Sequence, residues 1–353
     1  MRFKTILGVV AAFLVAMSSY AYEISAWVPT WDANALASMQ LHAGLLNESN
    51  PGWYSLDANG GIVKDYKAED PTMRAALTGT RLLPTIKNYV NGSFNATVVV
   101  NLIATAESRE THAEALRQLV VMNALDGIDI DYESLPQSAK SNFSAFITLL
   151  AQKLHASNKK LSVTLGAKTS DTQTWDGPGG NDWSAIGSVA DSVKVMAYDK
   201  HYPGGAAGAI TPLDWLDAVA TYAESHVPAA KVMIGLPWYG YDWVGTSASS
   251  VTYASGTQAA ANLGVTPSRD ANGELTFAAA GHVVYFQDAE SYARKVDALL
   301  AKHPGIGGFA HWRAGAEDPA TWTKISSLRN GGTSGATPAP KPPAPARTRP
   351  ARH

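Results

Sequence analysis

What most constrains the fold of this chain is a rhythm. Short apolar runs recur at residues 23–29, 52–56, 82–86, 127–133, 161–167, 192–198, 232–238 and 306–312. Amphipathic helical patterns lie between several of them, at 112–123, 140–156, 213–226 and 289–302. Runs this short, bounded by turn residues, read as strands, and strand–helix alternation implies parallel strands joined by right-handed crossovers. Eight such strands in a chain of 353 residues predict an α/β fold, the (β/α)8 or TIM barrel, with its active site at the C-terminal ends of the strands. A doubly wound open sheet is the competing architecture. It is disfavoured because no glycine-rich dinucleotide or phosphate loop follows the first strand.

One stretch breaks the rhythm. Residues 241–285 are rich in Ser, Ala, Gly and Thr, with short β-like pieces at 250–253, 274–278 and 282–285. That is too long for a plain loop. A small α+β insertion between strands seven and eight is expected there.

The ends read differently from the body. Arg2 and Lys4 precede an apolar stretch from Ile6 to Met17, and Ser19-Tyr20-Ala21 offers small residues at cleavage positions. Residues 1–21 are therefore expected to be a signal peptide, with an uncleaved anchor as the alternative. Export makes the expected location secreted or periplasmic, with no stable membrane insertion after cleavage. Residues 336–353 form a Pro-rich basic tail containing Lys341, Arg347, Arg349 and Arg352. Such a composition builds no core and is expected to be disordered or polyproline-like. The body between, residues 22–335, is the predicted catalytic barrel. Removing the six terminal basic residues from the 28 of the whole chain leaves 22 against 30 acidic ones. An acidic body argues against nucleic acid as a partner. There is no cysteine, so neither disulfides nor thiol chemistry are available.

The fourth run carries the chemistry: Asp126-Gly127-Ile128-Asp129-Ile130-Asp131-Tyr132-Glu133. Side chains alternate faces along a strand, so Asp129, Asp131 and Glu133 share one face and Ile128, Ile130 and Tyr132 the other. In a barrel both faces are enclosed, and three carboxylates crowd the interior. Desolvation and like-charge repulsion then favour protonation, which is how neighbouring carboxyls come to serve as acid and base. Glu133 lies nearest the mouth, with Asp131 about 7 Å below it and Asp129 about another 7 Å deeper. A carboxylic acid at the mouth beside a second acid suits proton donation to a glycosidic oxygen. An acid-rich surface hairpin or a cation site is the alternative.

The sixth run ends Met196-Ala197-Tyr198-Asp199, with Met196 and Tyr198 on one face, so that Tyr198 reaches the same mouth. The eighth ends Phe309-Ala310-His311-Trp312, and a rim tryptophan can floor a sugar subsite. Asp288 and Glu290 read as helix-capping and solvent-facing charges. The nine His form no HExxH or similar pattern, and no Ser stands in a Gly-x-Ser-x-Gly elbow. No metal and no cofactor are expected.

These residues resemble glycoside hydrolase family 18, the chitinase-type enzymes. The strand-four pattern Asp-x-x-Asp-x-Asp-x-Glu is matched by Asp126, Asp129, Asp131 and Glu133. The strand-six pattern Met-x-Tyr-Asp is matched by Met196, Tyr198 and Asp199, and the strand-eight tryptophan by Trp312. Gly235-Leu236-Pro237-Trp238-Tyr239-Gly240 and the insertion after it match as well. The resemblance covers about residues 23–328. Ser25-Ala26-Trp27-Val28-Pro29, the segment from Tyr198 to Tyr202 and that from Trp312 to Pro319 look closest to the bacterial peptidoglycan and spore-cortex N-acetylglucosaminidase branch.

The resemblance implies substrate-assisted retention, in which the 2-acetamido oxygen of the sugar attacks the anomeric carbon. Glu133 would be acid and then base. Asp131 would hold the acetamido N–H, Asp129 would tune Asp131, and Tyr198 would bond the acetamido carbonyl. Met196, Asp199, Trp312, Trp27 and Tyr239 would bind substrate, with Asp126 supporting the motif. The implied partner is a glycan containing N-acetylglucosamine, chitin or peptidoglycan. A non-catalytic lectin on the same barrel is the alternative, and retention of Glu133 weighs against it. Two departures stand out. The family's Ser-x-Gly-Gly after strand three is absent, replaced by the run Leu83-Pro84-Thr85-Ile86-Lys87-Asn88. Lys194 stands on the Met196 face, where it is expected to pair with Asp129 or to shift the acids.

Overall fold

The computed structural model of the protein describes residues 22–331; the expected signal peptide and basic tail lie outside the described residues. Eight strands form the centre: β1 (Glu23–Val28), β2 (Glu48–Leu56), β3 (Thr85–Lys87), β4 (Gly127–Asp131), β5 (Lys160–Gly166), β6 (Ser192–Met196), β7 (Val232–Pro237) and β8 (Gly308–Trp312). Each pairs in parallel with the next, and β8 pairs back onto β1, which closes the barrel. Closure leaves no open edge and faces every second side chain inward.

The crossover helices seal the outer face. In Lys140–Ala156 the buried residues Phe143, Phe146, Ile147, Leu150, Ala151 and Leu154 recur at three- and four-residue spacing. That spacing is one helical stripe, and it packs against β5 and the helix Ala106–Met122. Each fully buried large side chain of this kind contributes about 1.5–3 kcal/mol, and Phe146→Ala would cost about 3–5 kcal/mol. Ile128 and Ile130 of β4 belong to the same outer core.

Some strands end earlier than their apolar runs. β4 stops at Asp131 and β6 at Met196, so Glu133, Tyr198 and Asp199 sit just beyond strand ends. The chain turns there: Ser134 and Asp199 both take positive φ, at 61° and 60°.

The insertion lies between β7 and β8 and is a five-stranded antiparallel sheet with one helix, Tyr253–Asn262. Its first strand, Tyr239–Val244, begins two residues after β7 ends. Glu274 ties the insertion to the barrel: its carboxylate accepts from the Ile210 and Thr211 amides (2.7 and 2.9 Å) and pairs with buried Lys295 at 3.0 Å. Among the described residues no helix is long and apolar enough to cross a membrane.

Candidate active site

Inward-facing residues at the C-terminal ends of the strands line a cleft of about 390 Å³. Its walls include Trp27, Trp31, Lys87, Phe94, Asp131, Glu133, Met196, Tyr198, Asp199 and Trp312. The parallel register sets the neighbours: Thr85 stands beside Asp129, and Lys87 beside Asp131.

The three acids differ because their surroundings differ. Asp129 is fully buried and surrounded by donors. Its carboxylate accepts from Trp27 Nε1 (3.2 Å), Thr85 Oγ1 (3.0 Å), Thr164 Oγ1 (3.2 Å) and Lys194 Nζ (3.2 Å). Lys194 is itself fully buried and also donates to Glu48 Oε1 at 2.7 Å and Ser162 Oγ at 2.8 Å. Burial pulls the Lys194 ammonium pKa down, but the Asp129 and Glu48 carboxylates outweigh it and hold the value above the ordinary one. The expectation that Lys194 pairs with Asp129 is met, with Glu48 as a partner the sequence did not reveal.

Asp131 is higher in the cleft. Burial, then the Glu133 and Asp129 carboxylates, push its pKa well above the ordinary value, while Lys87 and Lys194 oppose the shift. Its buried Oδ1 has no hydrogen-bond partner. An unpaired buried oxygen is costly unless something else meets it, so this atom is available to a polar group of a ligand. Glu133 is raised to about 7, chiefly by burial and then by the Asp199 carboxylate. A carboxyl with that value still holds its proton near neutrality, as a general acid must.

Asp199 is held from behind. Tyr239 Oη donates to Oδ1 in a short contact, and Tyr241 Oη donates to Oδ2 at 3.2 Å. Burial raises the Asp199 pKa and both tyrosines lower it, for a net rise. Tyr239 is thus placed behind Asp199 and is not among the cleft-lining residues, unlike the direct substrate contact expected from the sequence. Tyr198 does line the cleft. A side chain at Gly235 would stand 2.6 Å from Val195 O and 3.3 Å from the Tyr198 ring, so a glycine there leaves room for the tyrosine. Trp312 meets Trp27 edge to face at 6.1 Å.

Asp126 lies at the opposite end of β4. It accepts the Leu82 amide at 2.8 Å and takes no part in the cleft.

The missing Ser-x-Gly-Gly has a structural counterpart. Thr85 supplies the hydroxyl to Asp129, Lys87 reaches the cleft, and Asn88 grips the peptide of Glu133. Sequence reasoning passed over Thr85, Thr164, Asn88, Tyr241, Phe94 and Trp31. They meet the site through contacts between segments far apart in sequence, as Thr85 and Thr164 do at Asp129, and no local pattern encodes these.

A closed (β/α)8 barrel with carboxyls and aromatic side chains gathered in the cleft at its C-terminal mouth has the architecture of a barrel enzyme. The family profile "Glycosyl hydrolases family 18" matches residues 71–317. The chain belongs to that family and is a glycoside hydrolase. It is 26% identical over 325 residues to the "Cortical fragment-lytic enzyme" of Bacillus anthracis, covering 87% of this chain and 73% of that one. YdhD of Bacillus subtilis, named as a sporulation-specific glycosylase, is 28% identical over 257 residues; the match covers 69% of this chain and 60% of the relative. The crystal structure of a chitinase from Chromobacterium violaceum superposes with a TM-score of 0.79 at 26% identity, covering 87% of this chain and 99% of that one.

Proposed function

We propose that this protein is an exported glycosidase that hydrolyses β-1,4 linkages next to N-acetylglucosamine by substrate-assisted retention. Glu133 protonates the leaving oxygen and then, as carboxylate, activates water. Asp131 receives the acetamido N–H on its unpaired Oδ1, and Tyr198 donates to the acetamido carbonyl. Attack by the acetamido oxygen on the anomeric carbon forms a cyclic oxazolinium ion as the leaving group departs with the Glu133 proton. Water then opens the ring and returns a proton to Glu133. Asp129, anchored by Lys194, fixes the electrostatic setting of Asp131, while Met196, Asp199, Trp27 and Trp312 contact the sugar.

The observation that carries this reading is the placing of Glu133 and Asp131 in one cleft, where Asp131 carries a buried Oδ1 with no hydrogen-bond partner and Glu133 is raised to about 7. Two such carboxyls give a proton donor and an acetamido partner, and neither is set up as an ionised nucleophile. The reading is tested with N-acetylated and deacetylated glucosamine oligomers, following the anomer of the first product by NMR. Retained configuration with N-acetylated substrate and no turnover of the deacetylated one are expected. Brisk cleavage of a deacetylated oligomer, or a glycosyl ester trapped on Asp131 or Glu133, would refute it. Export is tested separately by sequencing the mature N-terminus, expected near Tyr22.

A further inference from the structure

One fully buried carboxylate joins the insertion to the segment that follows β6. Glu274 stands just before the insertion strand Leu275–Ala279 and reaches no solvent. Its Oε2 accepts the Ile210 N–H at 2.7 Å and its Oε1 the Thr211 N–H at 2.9 Å, so one side chain grips two consecutive peptides. Lys295, on the helix Ala289–Lys302, faces Oε1 at 3.0 Å and donates as well to Gln287 Oε1 at 2.9 Å. A buried ion pair is often no more stabilising than apolar residues of the same volume. What this one supplies is a fixed place for Ile210 and Thr211.

The next link runs from Thr211 toward the cleft. Its buried hydroxyl donates to Ala197 O at 2.9 Å. That carbonyl belongs to the peptide bond whose nitrogen is that of Tyr198, just past the end of β6 at Met196. On the far side of Asp199, Lys200 N–H donates to Ile210 O at 3.0 Å, which closes the intervening loop at a second point. Ile210 packs in one apolar cluster with Tyr239, Trp243 and Tyr198. The insertion also sends the hydroxyls of Tyr239 and Tyr241 to the Asp199 carboxylate. Tyr198 and Asp199 are thus both held from the insertion, one through its peptide and the other through its side chain. Glu274 and Thr211 do not themselves line the cleft.

We infer that Glu274 is a positioning residue for Tyr198: through Thr211 it fixes the peptide that aims the Tyr198 hydroxyl at the acetamido carbonyl of the substrate. The inference rests on the substrate-assisted reading of the same site. Where the acetamido oxygen is the nucleophile, a misdirected Tyr198 hydroxyl slows the chemical step more than it weakens binding.

The experiment measures kcat and KM on N-acetylglucosamine oligomers. Thr211→Val removes the hydroxyl, keeps the branched shape and leaves the backbone amide that Glu274 grips. Its kcat is expected to fall about 10- to 100-fold with KM little changed, a range that misplacement by about 1 Å can reach. Thr211→Ser keeps a hydroxyl and is expected to recover most of the loss. Glu274→Gln leaves one acceptor oxygen for two amides and is expected to lower kcat in the same way. Because it strands the Lys295 ammonium, it is measured beside Glu274→Gln/Lys295→Met, in which both buried charges are gone. The deciding step is a double-mutant cycle with Tyr198→Phe. Once the phenolic hydroxyl is removed its aim no longer matters, so Thr211→Val and Glu274→Gln/Lys295→Met are expected to cost little further kcat in that background. Their effects on Tm are expected to be the same with and without Tyr198→Phe. Losses in kcat that add in full to that of Tyr198→Phe, or a wild-type kcat in folded Thr211→Val, overturn the positioning role and leave a clamp that serves the fold alone. Inertness of the wild-type protein toward every N-acetylated oligomer is a different result, and it overturns the glycosidase reading together with this one.

Discussion

Lys194 donates to Asp129 across 3.2 Å in the closed interior of the barrel, with neither side chain reaching solvent. The same ammonium binds Glu48 at 2.7 Å, so one cation serves two buried carboxylates. Glu48 also faces Arg81 at 3.8 Å, and of this group it is the Asp129 carboxylate that helps to push Asp131 up, while Lys194 opposes the shift. Removing one member of a buried ionic group leaves an uncompensated charge, a loss of about 3–5 kcal/mol. Lys194→Met is therefore expected to lower unfolding free energy by that amount in denaturant titration at neutral pH. Adding Glu48→Gln is expected to restore part of the loss. A single mutant as stable as wild type would show that the charge network does not contribute in this way.

The pH dependence of activity follows from Glu133. As a general acid it acts only while protonated, and burial together with Asp199 places its midpoint at about 7. Turnover is expected to be full below that value and to fall as pH rises through it, about tenfold per unit well above the midpoint. Glu133→Gln is expected to lower kcat by roughly 10² to 10⁴ and to abolish this limb while the fold is kept. The kcat/KM profile of the free enzyme between pH 5 and 9 is the measurement. A limb that persists in Glu133→Gln would assign it to another group.

The same group governs a stability trend of opposite benefit. Below about 4.5, its ordinary value, Glu133 is protonated in folded and unfolded chains alike, and pH has no effect through it. Between that value and about 7 the unfolded chain releases the proton and the folded one keeps it, so stability falls as pH rises. The penalty is complete above the folded value and amounts to about 3 kcal/mol at most. Glu133→Gln removes it. The variant is expected to exceed wild type in Tm at pH 8 and to lose that advantage toward pH 4.5, as calorimetry at the two pH values would reveal. Equal Tm differences at both would argue that Glu133 titrates normally.

How legible these features were depended on whether the signal was local. All eight barrel strands could be located because a parallel strand covered on both faces is a short apolar run whatever surrounds it. The acid ladder on β4 was legible for the same reason: alternation alone places Asp129, Asp131 and Glu133 together. The insertion was seen only in outline. Its strand Tyr239–Val244 follows β7 with a single residue between, so the aromatic run gave no boundary. Its helix Tyr253–Asn262 consists mostly of Ala, Ser, Gly and Thr, without the apolar stripe that marked the outer helices. Glu48 and Asn88 were invisible, because each meets the site across strands far apart in sequence. Glu48 and Lys194 are separated by 146 positions.

Asn88 yields the last prediction. Its fully buried amide accepts from the Glu133 backbone N–H at 2.8 Å and donates to the Glu133 carbonyl at 3.0 Å. Both hydrogen bonds hold the peptide that carries the catalytic carboxyl, just beyond the end of β4, where no strand ladder holds it. Asn88→Ala removes both and leaves two backbone groups to find other partners, a loss of about 1–3 kcal/mol in stability for each group left unsatisfied. A displaced general acid should harm the chemical step more than binding, since misplacement by about 1 Å can cost roughly a hundredfold in rate. The expected outcome is a kcat reduced by about 10- to 100-fold with KM little changed. The limb near pH 7 should remain, because the burial that chiefly raises Glu133 is untouched. Asn88→Asp keeps the acceptor but introduces a buried negative charge beside Glu133, so its limb should move to higher pH. If Asn88→Ala lowers Tm but leaves kcat and the profile as in wild type, the clamp supports the fold alone and does not position Glu133 for catalysis.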